Sequence, residues 1–202
     1  MTDRAALTGD RPPDDDAVRI VPADAHRWPE VTQLLGADGG YAGCWCSFWR
    51  LTNAELAGRS GEQNRELLEG LVTSGDAPGL VLRLDGVPVG WCQVAPRAEF
   101  QRLFHTRGLE LTDPADPDVW SIVCVYVAKT ARGRGLAGAL VAAAVDRAAA
   151  RGATVVEAYP VTDPGTGRRT QLSSGTVSMF EQAGFEPAAP ATGRRVLMRR
   201  VL

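Results

Sequence analysis

The segment that most constrains the fold is a continuous apolar run at residues 119–127, which leads through a glycine-rich turn into a helix. An unbroken apolar run of this length is typical of a strand that is buried on both faces of a sheet. The helix that follows, predicted over 133–151, repeats apolar residues with helical spacing, and Gly152 provides a C-terminal stop. The sequence therefore predicts a central sheet with helical cover.

The remaining segments complete a mixed α/β pattern. The pair Asp85-Gly86 favours a tight hairpin, because both residues accept a positive φ. Capping boxes at Thr52–Glu55 and Ser60–Gln63 predict two helix starts. The length of 202 residues fits one globular domain. Further strands are predicted at 18–21, 80–84, 87–94, 153–161 and 196–202, and further helices at 23–35 and up to Ala183.

Composition and charge exclude several functional classes. With 45% hydrophobic residues, a chain of this length buries a core without disulfide bonds. Its net charge of -2 argues against a general nucleic-acid-binding protein. The longest apolar stretch, 136–150, contains Asp146 and Arg147 and is shorter than the ~20 residues that cross a membrane. We therefore expect neither nucleic acid nor a membrane as a partner.

The N-terminal residues 1–16 are acidic and contain prolines, which predicts a disordered tail before a single domain over 17–202. They lack the basic start and the apolar run of a signal peptide. Without an export signal, the four cysteines are expected to be free thiols in a cytoplasmic protein. The spacing of Cys44 and Cys46 does not match a zinc knuckle, so no metal site is predicted.

We expect the functional site at the turn between the strand at 119–127 and the helix that follows it. The first amides of a helix have no partners within it and carry the positive end of its dipole. Gly133 and Gly135 allow a phosphate to approach these amides closely. The segment lacks the Lys-Ser/Thr ending of a P-loop and the full dinucleotide glycine pattern. It predicts a pyrophosphate site that uses neither motif.

This turn resembles a known family. Arg132-Gly133-Arg134-Gly135-Leu136-Ala137 is similar to the R-x-x-G-x-A acyl-CoA loop of the GNAT N-acetyltransferase superfamily. The preceding Val125-Tyr126-Val127 resembles the fourth strand of that family, and 179–185 resembles its closing helix and Gly-Phe turn. The resemblance extends in element order from about residue 17 to the end of the chain.

The resemblance implies an α/β fold with a mostly antiparallel sheet, splayed between its fourth and fifth strands and covered by helices on both faces. It implies an N-acetyltransferase that uses acetyl-CoA as co-substrate. A small-molecule or peptide amine would attack the thioester directly, and a backbone amide near Val125 would stabilise the oxyanion. A homodimer is left open. The implied cofactor-binding residues are Val125, Tyr126, Val127, Arg132, Gly133, Arg134, Gly135, Leu136, Ala137 and Gly138.

One residue departs from the family pattern. The family often has a tyrosine in the closing helix that protonates the departing thiolate, and here Phe180 occupies that position. Phenylalanine cannot donate a proton. The departure leaves open an alternative function, a non-catalytic acyl-CoA-binding or regulatory module. Hydroxyl groups that could replace the tyrosine belong to Tyr126, Tyr159, Ser174, Thr176 and Ser178.

Glu157 is the candidate general base, because it is the only carboxylate within the predicted central strands. A buried carboxylate can take a proton from an ammonium group directly or through water. The alternative, weighted about equally, is a salt-bridged or strand-end residue that faces solvent. Glu99 and Glu110, in the irregular segment 97–117, are further candidates.

The acceptor side is expected near an aromatic segment at 41–49. Trp45, Trp49 and Trp91 are candidates for an apolar wall or a cation-binding face for the amine. Ordinary core packing is the competing interpretation. With Glu99 as a nearby carboxylate, the predicted substrate-binding residues are Trp45, Trp91 and Glu99.

Overall fold

The computed structural model describes residues 18–109, 111, 116–162, 174–188 and 193–202. The tail predicted at 1–16 and the candidate Glu110 lie outside the described residues, as do 163–173, which form most of a predicted glycine-rich loop.

Within the described residues, seven strands form one mixed sheet in the order β1-β2-β3-β4-β5-β7-β6. Of the neighbouring pairs in this described sheet, β4 and β5 are parallel and the others are antiparallel. This arrangement confirms the predicted fold class. The strands are β1 Arg19–Pro22, β2 Gly79–Leu84, β3 Val87–Pro96, β4 Val119–Val127, β5 Val155–Ala158, β6 Glu186–Pro187 and β7 Met198–Val201.

The described residues include five α-helices, of which four cover the two faces of the sheet. The two predicted capping boxes are present at the starts of α2 and α3. One core cluster joins α1 and α3 to one face of the sheet, and a larger cluster joins α4 and α5 to the opposite face. The helices are α1 Trp28–Leu35, α2 Asn53–Leu56, α3 Gly61–Thr73, α4 Leu136–Ala150 and α5 Val177–Gln182.

The hairpin between β2 and β3 turns at Asp85 and Gly86, whose φ angles of 52° and 77° confirm the predicted tight turn. The pairing of β3 with β4 is interrupted by a bulge. Gln93 pairs with Cys124 whereas Val94 pairs with Ile122, so Val123 is the extra residue on β4. A bulge bends its strand and aims the local backbone away from the regular ladder.

Several predicted boundaries differ from the structure for backbone reasons. The helix predicted from 133 begins at Leu136, because Gly133 and Gly135 adopt left-handed φ angles that a right-handed helix cannot contain. The strand predicted to reach 161 ends at Ala158, two residues before Pro160, which has no N–H for a ladder. The irregular segment from 97 contains two 3-10 helices, Arg97–Glu99 and Gln101–His105.

No helix among the described residues has the length and apolar character that a membrane crossing requires.

Candidate functional site

The sheet opens between β4 and β5. The two strands pair only from Val119 with Val155 to Ile122 with Ala158. Beyond that point β4 continues to Val127, whereas β5 has ended. Within the part of the chain that the structure describes, residues 123–127 therefore have no neighbouring strand on the β5 side.

The backbone of the β4 end faces this opening. The N–H of Ala128 donates to the Val89 carbonyl on β3, at 2.8 Å. Since backbone groups alternate sides along a strand, Val125 and Val127 direct their N–H and C=O groups toward the open side. In agreement, Arg132 Nε donates to the Val127 carbonyl from that side, at 2.9 Å. An extended ligand can therefore pair with β4 as an additional strand would.

Next to the opening, the amides of 133–138 form a surface that we call the amide crown. The first hydrogen bond of α4 is donated by Ala139 to the Gly135 carbonyl, at 3.2 Å. The amides of Leu136, Ala137 and Gly138 precede it, and they find no backbone partner among the described residues. The first turn of α4 contains no acidic side chain, so the positive end of the helix dipole is not neutralised.

The amide crown is also sterically open. A Cβ atom built on Gly133, Gly135 or Gly138 would meet no heavy atom within 4 Å. The side chains of Arg132 and Arg134 are exposed beside the crown and add positive charge. Unbonded amides, a helix dipole and accessible space together make a site for a phosphate or pyrophosphate group.

Glu157 lies on the other side of the opening, in a buried ionic network. Its side chain is completely buried. Arg97 Nη1 donates to both of its oxygens at 3.1 and 3.2 Å, and Arg199 Nη2 donates to Oε1 at 2.6 Å. The carboxylate thereby links β5 to β7 and to the residue that follows β3. These contacts correspond to the ion-pair interpretation of Glu157, and its role as a base stays a prediction.

Tyr159 extends this network to β4. Its hydroxyl donates to Glu157 Oε2 at 2.8 Å and lies 2.8 Å from the Ser121 hydroxyl, which acts as donor to it. Burial, followed by the adjacent charge of Glu157, raises the pKa of Tyr159 well above its ordinary value, so the phenol keeps its proton. Its ring packs 6.4 Å from that of Trp49, over which Arg195 lies.

The other predicted acceptor residues are divided between core and surface. Trp91 is fully buried and Trp45 nearly so, both in the cluster beneath α1 and α3, as the packing interpretation predicts. Tyr126 is half-buried at the edge of the same cluster. Glu99 remains partly exposed and accepts a hydrogen bond of 2.5 Å from Arg50 Nη1. The structure thus does not bring these four side chains to one open surface.

Phe180 belongs to the core. It is fully buried, and its ring packs edge-on against Phe185 with centroids 5.2 Å apart. Of the nearby hydroxyl groups, Thr176 caps α5 by accepting from the Met179 amide, Ser174 is buried and Ser178 is exposed.

All four cysteines are free thiols. A hydrogen bond with Cys124, together with burial, raises the pKa of Cys46 well above its ordinary value. Burial likewise raises the pKa of Cys92. Among the described residues, no group of three or more His, Cys, Asp or Glu side chains could hold a metal ion.

Four residues that sequence reasoning did not single out are important here. Arg97 and Arg199 hold Glu157, and nothing in their local sequence indicates that partner. Gln93 and Arg50 are buried polar side chains on the acceptor side. Gln93 could have been noticed, because it is the only polar side chain in the ten-residue strand β3.

Comparison with known proteins agrees with this fold. Ribosomal-protein-alanine N-acetyltransferase from Brucella melitensis is 20% identical, with a TM-score of 0.51 over 91% of this chain and 99% of that chain. PaiA N-acetyltransferase from Thermoplasma acidophilum, solved with coenzyme A, is 11% identical, with a TM-score of 0.53 over 92% of this chain and 99% of that chain. The protein yncA from Salmonella typhimurium, solved with its cofactor acetyl-CoA, is 17% identical, with a TM-score of 0.54 over 92% of this chain and 94% of that chain.

At these low identities, the structural matches establish a shared fold. No curated protein is significantly similar to the chain. The family model described as the acetyltransferase (GNAT) family matches residues 45–169, which is more than half of the chain and includes both the opening and the amide crown. The chain is a member of the GNAT acetyltransferase family.

Proposed function

We propose that this protein transfers the acetyl group of acetyl-CoA to an amine acceptor. The observation that carries the proposal is the separation of β4 from β5 directly beside the open amide crown. The amides of 133–138 would hold the pyrophosphate, and Arg132 and Arg134 would add attraction for its charge. The pantetheine arm would then extend along the backbone of 125–127 and place the thioester near the β4 bulge.

The transfer requires no covalent enzyme intermediate. The lone pair of an uncharged amine attacks the thioester carbon, a C–N bond forms, and the C–S bond breaks to release the CoA thiolate. The extra proton on the amine passes to water or to a side chain. The backbone N–H of Val125, which is directed toward the opening, would stabilise the negative charge that develops on the carbonyl oxygen.

Of the three side chains predicted to handle protons, we keep only Tyr126 in that role. It is half-buried and lies on the strand whose amides would face the thioester. Glu157 and Tyr159 are enclosed in their network with Arg97, so we assign them to positioning the ends of β4 and β5. A dedicated acid for the thiolate is unnecessary, because a thiol with a pKa of about 8.5 is a stable leaving group near neutral pH.

A second candidate function is a non-catalytic acyl-CoA-binding module. The observation that favours it is the buried Phe180 at the position where the family often has a tyrosine. The hydrogen bonds from Arg97 and Arg199 to Glu157 also favour this second candidate, because they occupy the carboxylate that was predicted to act as the base.

Two measurements distinguish the candidates. Titration calorimetry with acetyl-CoA tests binding, and release of the CoA thiol with a panel of primary amines tests transfer. We expect binding together with thiol release that depends on the amine. Binding without thiol release from any amine would favour the second candidate, and no binding at millimolar acetyl-CoA would exclude both.

The four free thiols support a reducing compartment for this reaction, and we propose that the protein is cytoplasmic.

A further inference from the structure

Three buried polar side chains on the acceptor side have atoms without hydrogen-bond partners among the described residues. Gln93 is fully buried, and neither its amide nitrogen nor its amide oxygen is bonded. Arg50 is 8% exposed, and its Nε and Nη2 are unbonded. The buried hydroxyl of Ser47 also lacks a partner. We call Ser47, Arg50 and Gln93 the polar cluster.

The polar cluster lies beside the β4 bulge. Gln93 pairs with Cys124, the residue that follows the bulge, and shares a sheet face with Trp91 and Ala95. Trp91 Nε1 donates to Cys46 Sγ at 3.1 Å, and Trp49 belongs to the same core cluster as Ala95. We infer that residues 44–51, which we call the covering segment, cross β3 near Gln93, and Ser47 and Arg50 belong to this segment.

The free donors of Arg50 have a defined geometry. Nη1 is occupied by Glu99, and the guanidinium lies 4.9 Å from the centroid of the Phe100 ring. The remaining Nε and Nη2 are the two donors of one edge of the guanidinium, the edge that binds a carboxylate through two parallel hydrogen bonds. Burying such donors without a partner is unfavourable for folding, which indicates that a ligand completes them.

We propose that the amine acceptor carries a carboxylate, which binds the Nε–Nη2 edge of Arg50 with the amide of Gln93 as a second contact. This inference rests on the proposed acetyl transfer. Glu99 already neutralises part of the guanidinium charge, which favours a singly charged planar carboxylate over a doubly charged phosphate. The acceptor class is thus a small amino acid whose amine extends toward the bulge.

The acceptor reaches Arg50 when the covering segment moves. The free donors are closed off from solvent in this structure, whereas Phe48 in the same segment is exposed. Arg102 holds the segment by donating to the carbonyls of Phe48 and Thr52 and to the side chain of Asn53. Substrate binding therefore breaks some of the contacts that hold the covering segment and forms the carboxylate contact in their place.

The test compares acceptors that differ only in the carboxylate: amino acids, their amides and the corresponding decarboxylated amines, with thiol release as the readout. We expect kcat/KM to be about tenfold or more higher for the carboxylates. Arg50→Lys keeps the charge and loses the paired donors, so the KM for carboxylate acceptors should rise about tenfold. The KM for decarboxylated amines should rise much less than the KM for carboxylate acceptors, because the lost donors contact only the carboxylate.

Arg102→Lys is the matched control, because it weakens the anchoring of the same segment without touching the proposed carboxylate contact. If Arg50 only packs the segment, both variants should lose the same activity with every acceptor, and the inference is overturned. Should Arg50→Lys fail to fold, Glu99→Gln replaces it, since its partly exposed side chain tolerates the change. Removing that competing anion should lower the KM for carboxylates, and an unchanged or higher KM contradicts the inference.

The remaining outcomes separate this inference from the proposed function. If decarboxylated amines react as fast as the amino acids, the acceptor inference fails and acetyl transfer stands. If acetyl-CoA does not bind, the proposed function itself fails. If no acceptor reacts, amino acids are titrated into the protein–CoA complex. Heat that depends on the carboxylate and is lost in Arg50→Lys supports the inference, whereas its absence shows that the polar cluster holds only water.

Discussion

The two sides of the candidate site are built in different ways. On the proposed cofactor side, the amide crown presents backbone amides without backbone partners among the described residues, and the space at its glycines is open. On the proposed acceptor side, the polar cluster consists of side chains that are almost fully buried. Backbone amides bind a phosphate whatever side chains surround them, whereas a guanidinium edge and an amide select one shape and charge.

This difference predicts which substitutions damage each side of the candidate site. A site made of backbone groups is damaged mainly by substitutions that alter φ or fill its space. A site made of buried side chains is damaged by any loss of a partner, because an unpaired buried group is costly. The following variants test this contrast in order of expected effect.

The largest effect is expected for Gly135→Val. A valine at a φ of 74° is strained, and its branched side chain occupies the space through which a phosphate approaches the amide crown. Acetyl-CoA affinity measured by calorimetry should fall about a thousandfold, equivalent to about 4 kcal/mol. Gly152→Val is the control, because Gly152 has a φ of 89° and open space at the other end of α4. Equal losses of affinity in both variants would show that strain alone is responsible.

Glu157→Gln should mainly reduce stability. It removes the negative charge that pairs with Arg97 and Arg199 in the buried network, which costs about 3 kcal/mol of unfolding free energy in denaturant titration. The dependence of kcat on pH should keep its acidic limb, because the proposal makes Glu157 a positioning residue. A variant of wild-type stability that has lost this limb would instead identify Glu157 as the base.

Tyr159→Phe should have a smaller effect, since it removes one hydrogen bond to Glu157 and one from Ser121. A loss of about 2 kcal/mol in unfolding free energy is expected, because one of these bonds is to a charged group. Acetyl-CoA affinity should stay within a few-fold of wild type, since the phenol is buried away from the amide crown. A large fall in kcat at unchanged stability would show that Tyr159 acts directly on the reacting groups.

The smallest effect is expected for Thr52→Ala, at the end of the covering segment. It removes the side-chain cap of α2 and should cost about 1 kcal/mol of unfolding free energy.

Hydrogen bonds from Thr52 hold the pKa of Glu55 below its ordinary value. The stabilisation from Glu55 is therefore present above pH 4.5 and is lost as the pH falls through its lowered pKa. A thermal-melting series from pH 7 to about pH 3 should show this loss in the wild type, and Glu55→Gln should abolish that contribution.

Local elements were predictable where local chemistry decides them. The hairpin at Asp85-Gly86 and the capping box at Thr52–Glu55 depend on residues that are adjacent in the chain, and both are present. The boundaries that differ, such as the start of α4 at Leu136, depend on φ angles that a glycine permits but does not require.

Of the candidate site, only the proposed cofactor side could be recognised from the sequence. The amide crown belongs to one continuous segment, so its glycines could be recognised in order. The polar cluster joins residues 47 and 50 to Gln93, and the ionic network joins Arg97 to Glu157 and Arg199. A single sequence does not specify which distant residues meet, so the candidate base appeared available until its partners were seen.

By itself, the order of residues determined the hydrophobic strand at 119–127, the turn after it and the free amides at the start of α4, because each follows from interactions within a few residues. Only the tertiary structure decided where β5 stops beside β4 and that Glu157 is enclosed by two arginines. It also decided that the paired donors of Arg50 and the amide of Gln93 are buried without hydrogen-bond partners among the described residues. The physical reason is that burial and pairing of polar groups depend on the whole sheet and its covering segments, whose contacts join residues far apart in the chain.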